Sequence, residues 1–127
     1  MAHFTVEYTH NIEPDADLPR LFADAHRLLA DTGVFPVAGL RSRALRLDTW
    51  RVADGAGDYA FVHATFRMGH GRDAGTRRLV AEAMFALIKA HFAPLQSRRL
   101  LALSFELTEL DAELSFKHNN IHERFAS

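Results

Sequence analysis

Arginines carry most of the chemistry this sequence offers. Arg41 and Arg43 stand two residues apart at the start of an expected strand, and Arg72 stands in the run GRDAGTR that opens an expected helix. A guanidinium is a planar, bidentate match for a carboxylate, and the amides at a helix N-terminus favour anions. Such groups suit a small anion. The net charge of -1 argues against a nucleic-acid surface, which shows as a clear basic excess. Eight histidines are scattered, and although His118 and His122 would share one face of a helix, no cysteine or placed carboxylate pair joins them. No metal is expected. Ser42 and Ser104 lie outside any G-x-S-x-G pattern, and the glycine-rich run Gly69 to Arg72 is too short to cradle phosphates.

The elements that must hold these arginines recur. Shifted by about 58 positions, the chain lies on itself without a gap: Phe4 falls on Val62, Val6 on Ala64, Leu21 on Leu79, Ala25 on Ala83, Arg41 on Arg99 and Leu45 on Leu103. Each copy reads strand, helix, strand, with units of about 2–53 and 59–110 and a tail over 111–127. With 127 residues there is material for one core and not for two ordinary domains, so both copies should share one sheet. The fold expected is α/β: a tandem β-α-β repeat forming a four-stranded sheet with two helices on one face.

The alternation of Phe4, Val6 and Tyr8 with polar neighbours predicts a strand over His3 to Thr9. Asp17 as N-cap, Pro19 in the first turn and the stripe Leu18, Leu21, Phe22, Ala25, Leu28 and Leu29 predict a helix ending near Gly33. A second strand is expected over Arg43 to Val52, with Leu45 and Leu47 inward, and a third over Tyr59 to Met68. A second helix is expected from Asp73 to Phe92, limited by Pro94, and a fourth strand over Arg99 to Leu107. Parallel crossovers would place both helices on one side. The other side would then carry Thr5, Glu7, Arg46, Asp48, His63, Thr65, Arg67, Ser104 and Glu106, with apolar area from Trp50 and Phe61. It is either a solvated face or one where identical subunits meet, carboxylate opposite arginine. The absence of cysteine suits a reducing compartment, the N-terminus lacks the apolar core of a signal peptide, and no segment approaches the roughly 20 apolar residues of a membrane span. Cytoplasm is expected, with no membrane partner.

The segments that interrupt these periodic patterns are MAHFTVEYTHNI, ADLPRLF, TGVFPVAGLRSR, DTWRVADGAGDYAFVH, HGR, LIKAHFAPL, RLLALSFELTEL and FKHNNIH. In this order they resemble the 5-carboxymethyl-2-hydroxymuconate Δ-isomerase family of the tautomerase superfamily, over essentially the whole chain. The resemblance implies a homotrimer with active sites near subunit boundaries. It implies a step in homoprotocatechuate degradation, in which a carboxylate-rich enol becomes its keto isomer, with no metal or organic cofactor.

In that family the base is an amino-terminal proline exposed by removal of the initiator methionine, and the matching position here is Ala2. A free α-amino group has a pKa of about 7.7–8.0, so part of it is neutral and basic at physiological pH. Without Met1, Ala2 offers a primary amine; with Met1, its nitrogen is an amide of no useful basicity. The alternative is that Ala2 is merely the start of an edge strand and the chain a trimeric ligand-binding relative. Arg41, Arg43 and Arg72 match, by position in the repeat unit, superfamily arginines that take substrate carboxylate and carbonyl groups; the alternative for each is an exposed charge. Phe35 and Phe61 are candidates to wall the pocket, with core packing as the alternative. Ala60 is the repeat equivalent of Ala2 but lies inside the chain, so each chain has one candidate amine.

Overall fold

The computed structural model describes residues 1–125. Strand β1 (Ala2–Thr9) leads through a 3₁₀ turn and the one-turn α1 (Glu13–Ala16) to α2 (Leu18–Asp31) and β2 (Leu40–Leu47). The second unit follows as β3 (Tyr59–Met68), α3 (Ala74–Gln96) and β4 (Leu100–Glu109), and a tail ends in a 3₁₀ helix, Ile121–Phe125. The sheet order is β2-β1-β3-β4. Each unit pairs its own strands in parallel, and the two units meet through an antiparallel β1–β3 pair. Val6 lies opposite Ala64, its own repeat equivalent, so a local two-fold passes between them and sends Ala2 and Ala60 to opposite ends of the sheet.

Both long helices cover one face. Leu21, Ala25 and Leu29 of α2, and Val80, Met84, Ile88 and Phe92 of α3, recur at four-residue spacing and are buried. They meet the alternate strand residues Phe4, Val6, Val62, Ala64 and Phe66. Phe22 of α2 packs edge-on to Phe4 at 5.9 Å, and Phe85 of α3 stacks on Phe105 at 6.4 Å. Each large apolar side chain buried here contributes about 1.5–3 kcal/mol over its exposed state. No helix among the described residues is long and apolar enough to cross a membrane.

Several local expectations are corrected. Asp17 does precede α2, but at φ 45° and without a capping hydrogen bond; its carboxylate instead reaches Arg20 at 3.6 Å. Asp73 does cap, accepting from the Thr76 amide at 2.7 Å. Its own carboxylate thereby takes a helix amide that the sequence offered to a ligand. Helix α3 runs past Pro94 to Gln96, since a proline in the exposed last turn costs one backbone bond and Ser97 N–H still reaches the Ala93 carbonyl at 3.1 Å.

Strand β2 starts and stops earlier than its alternation implied. Its partner β1 spans Ala2–Thr9, in register from Ala2 opposite Leu40 to Thr9 opposite Leu47, and beyond Leu47 it has nothing to bond. That register also reverses its faces. Arg46 aligns with Tyr8 on the helix side, where it pairs with Glu13 at 3.2 Å and Asp48 at 3.1 Å. Leu45 and Leu47 align with Glu7 and Thr9 on the open side. Trp50 lies in the following loop against His10, at 4.9 Å.

Candidate functional site

Ala2 opens β1 at the end of the sheet where the 3₁₀ turn Val37–Gly39 delivers the chain into β2. It is only 2% exposed and forms, with Met1, Phe35, Gly39, Leu40 and Arg72, the wall of a small cleft. With Met1 in place the cleft keeps about 20 Å³, room for a single water. Two larger clefts, of about 280 and 240 Å³, also have Met1 in their walls; His70 and Lys117 border both. Space for a larger ligand therefore surrounds Met1 and stops at it.

Arg72 is held in place. Gly71, at φ 120°, allows the loop after β3 a turn that a side chain would resist. The Arg72 guanidinium then donates to the Val34 carbonyl at 2.9 Å and to the Gly69 carbonyl at 3.4 Å, and lies 5.0 Å from the centre of the Phe35 ring. Phe35 is itself fixed edge-on against Phe66 at 5.3 Å. Phe35 thus both packs in the core and faces the cleft, so the two readings of this residue are compatible.

Arg41 stands beside the cleft, not in its wall. Its guanidinium donates to the Gly39 carbonyl at 3.3 Å. Arg43 lies apart, on the open sheet face, 3.1 Å from His3 Nδ1 and beside Thr65 and Arg67. Phe61, also on that face opposite Ala102, stands away from the cleft. Burial and the charges of Arg43 and Arg41 hold His3 below its ordinary pKa, so a neutral ring accepts from Arg43. Among the described residues, Arg41, Arg43, Arg67, Arg72 and Lys117 have no carboxylate within 4.0 Å. These five lie toward the Ala2 end of the sheet, whereas Arg51 and Lys89, which also lack a carboxylate partner among the described residues, lie in the β2–β3 loop and on α3.

Three of the five act on the amine at the Ala2 end. The Met1 amino group titrates below its ordinary value because burial disfavours its charged form, and Lys117, Arg72 and Arg41 repel it further. Sequence reasoning missed Lys117, His70 and the tail as walls of this site. The only signal was that FKHNNIH fits no helix or strand period, which marks a segment without saying where it docks.

The family model for 5-carboxymethyl-2-hydroxymuconate isomerase matches residues 2–125. The chain belongs to this isomerase family. A 5-carboxymethyl-2-hydroxymuconate Delta-isomerase of Escherichia coli is 54% identical over 125 residues, covering 98% of this chain and 99% of that one. The crystal structure of a 5-carboxymethyl-2-hydroxymuconate isomerase from Deinococcus radiodurans R1 superposes with a TM-score of 0.92 at 38% identity, over 99% of this chain and 95% of that one. A fused 4-OT protein, solved as a symmetric trimer, shares the fold at 13% identity with a TM-score of 0.61, over 93% and 92% of the two chains. The architecture is that of the tautomerase superfamily, and the isomerase family's match spans the cleft and the tail that borders it.

Proposed function

We propose that this protein is a cofactor-independent isomerase of 5-carboxymethyl-2-hydroxymuconate or a similarly carboxylated enol, acting in the cytoplasm in homoprotocatechuate degradation. The base is the Ala2 amine, freed when Met1 is removed. The observation that carries this reading is the position of Met1, which acylates the Ala2 nitrogen and forms part of the wall of a cleft of only about 20 Å³. Its loss would do two things at once: turn an inert amide into an amine and open room for a substrate.

The amine so exposed stands near the cations that already lower the Met1 amine. It is therefore neutral over more of the physiological range than a free α-amino group. It takes the proton of the enol hydroxyl; the electrons shift along the conjugated chain as the hydroxyl becomes a carbonyl, and the proton returns to the far carbon. One O–H bond breaks, one C–H bond forms and no redox partner is needed. Arg72 holds a substrate carboxylate, Arg41 supports a second from the rim, and Phe35 walls the conjugated chain. Arg43, paired with His3, belongs in this reading to the open face.

Ultraviolet-monitored turnover of 5-carboxymethyl-2-hydroxymuconate tests the reading, with intact mass confirming loss of Met1 and the same buffer without protein as reference. Saturable acceleration is expected. Binding without acceleration would replace it with a ligand-binding role.

The same reading includes a homotrimer, supported by the open sheet face. Leu45, 47% exposed, and Leu100, 66% exposed, lie on that face. Glu7 and Glu106 share it with Arg43 and Arg67, so copies can meet carboxylate to guanidinium, with the two leucines on the edge strands adding apolar area. Light scattering should return three times the 14.3 kDa of one chain. A monomer at micromolar concentration would sink this part.

A further inference from the structure

Lys117 has no role in the site as read above, and its surroundings point to one. The tail that carries it is tied down on both sides. Before it, the Leu110 amide donates to the Met68 carbonyl at 2.7 Å, and Asp111 accepts from the Glu113 and Leu114 amides at 2.9 and 2.6 Å. After it, the Asn119 side-chain amide donates to the Ala38 carbonyl at 3.0 Å, in the same turn that leads into β2. Lys117 is thereby presented to both larger clefts around Met1. The one carboxylate in those walls, Asp111, is engaged by its own turn, and none lies within 4.0 Å of the Lys117 ammonium among the described residues.

The substrate supplies the missing partner. A carboxymethyl-hydroxymuconate carries three carboxylates, and the cleft and its rim offer two arginines. Both have part of their hydrogen-bonding fork committed to backbone carbonyls. We propose that Lys117 binds the third carboxylate and so selects tricarboxylates over dicarboxylates at this site. The inference rests on the isomerase reading and adds a specificity-determining residue to it. A lysine suits this place: it is a point charge on a long stem, able to follow a flexible carboxymethyl arm where a rigid fork would not. Lys117 and Met1 wall the same two clefts, and the lysine's charge helps to hold the Met1 amine below its ordinary pKa.

The test compares the processed wild type with Lys117→Met and Lys117→Arg on two probes, 5-carboxymethyl-2-hydroxymuconate and 2-hydroxymuconate, which lacks the third carboxylate. Rates are taken on the pH plateau above the amine's titration, so that an altered amine pKa does not enter. For the tricarboxylate, Lys117→Met should raise KM about 10- to 150-fold, the range for loss of a hydrogen bond to a charged group, with kcat changed far less. For the dicarboxylate both constants should stay within about two-fold, and Lys117→Arg, which keeps the charge on a less adaptable fork, should recover part of the tricarboxylate loss. Equal losses on both probes, or no loss on either, would overturn the assignment. If the wild type accelerates neither probe, the isomerase reading fails by itself. Calorimetric binding of the tricarboxylate to wild type and Lys117→Met then decides for or against Lys117 by the same fold-change in Kd.

Discussion

A chain that keeps any residue ahead of Ala2 should isomerise the muconate about 100- to 10,000-fold more slowly than the processed chain, the range assigned to loss of a positioned general base. An uncleaved N-terminal tag and its cleaved product make the comparison cleanly, because every side chain from Ala2 onward is the same in both. The pH dependence follows from the environment of the amine. The base works in its neutral form; burial together with Lys117, Arg72 and Arg41 lowers the Met1 amine below its ordinary value of 8.0, and the same cations stand near the Ala2 amine that processing frees. The activity kcat/KM should therefore rise with pH through a pKa below 8.0, level off above it and fall as the pH drops below it. Ala2→Pro should raise kcat, since a ring orients the amine that a single methyl leaves free to rotate. Full activity in the tagged chain, or a limb that titrates above 8.0, would remove the amine from the mechanism.

The second large effect is expected at Arg72. Arg72→Ala deletes the guanidinium that borders both the Ala2 cleft and the wider cleft reaching Lys117. A lost charge-assisted hydrogen bond is worth about 1.5–3 kcal/mol, so KM should rise by about 10- to 150-fold. Arg72→Lys keeps the charge without the fork and should recover only part of this. Removing the charge also relieves repulsion at the amine, so the acid limb should move to higher pH in Arg72→Ala. A merely structural role would lower stability by loss of the Val34 and Gly69 ties without moving that limb. An unchanged KM in a folded Arg72→Ala protein would exclude Arg72 from substrate binding.

Much of the architecture was legible because it rests on periodicity. Strand β3 matches its alternation from Tyr59 to Met68, and both long helices follow their four-residue apolar spacing. The repeat gave two strand-helix-strand units and placed both helices on one face. What failed was local. Apolar character alone points Leu45 and Leu47 inward, yet register with β1 sends them to the open face. The same register leaves Arg46 to find carboxylates on the helix side.

For the site, the sequence alone determined the residue types: one candidate amine per chain, arginines spaced for anions, no thiol, and an ordered set of segments matching one isomerase family. Residue type, order and periodicity are properties of the chain, so they can be read without coordinates. Tertiary structure decided which of these residues meet. It brought Ala2, Phe35 and Arg72 to one cleft, set Arg41 at its rim, sent Arg43 to the open face, and brought Lys117 from the far end of the chain into the clefts that Met1 also walls. Those separations are set by strand register, by Gly71 and by two tail hydrogen bonds. Each is a long-range constraint that leaves no period in the sequence.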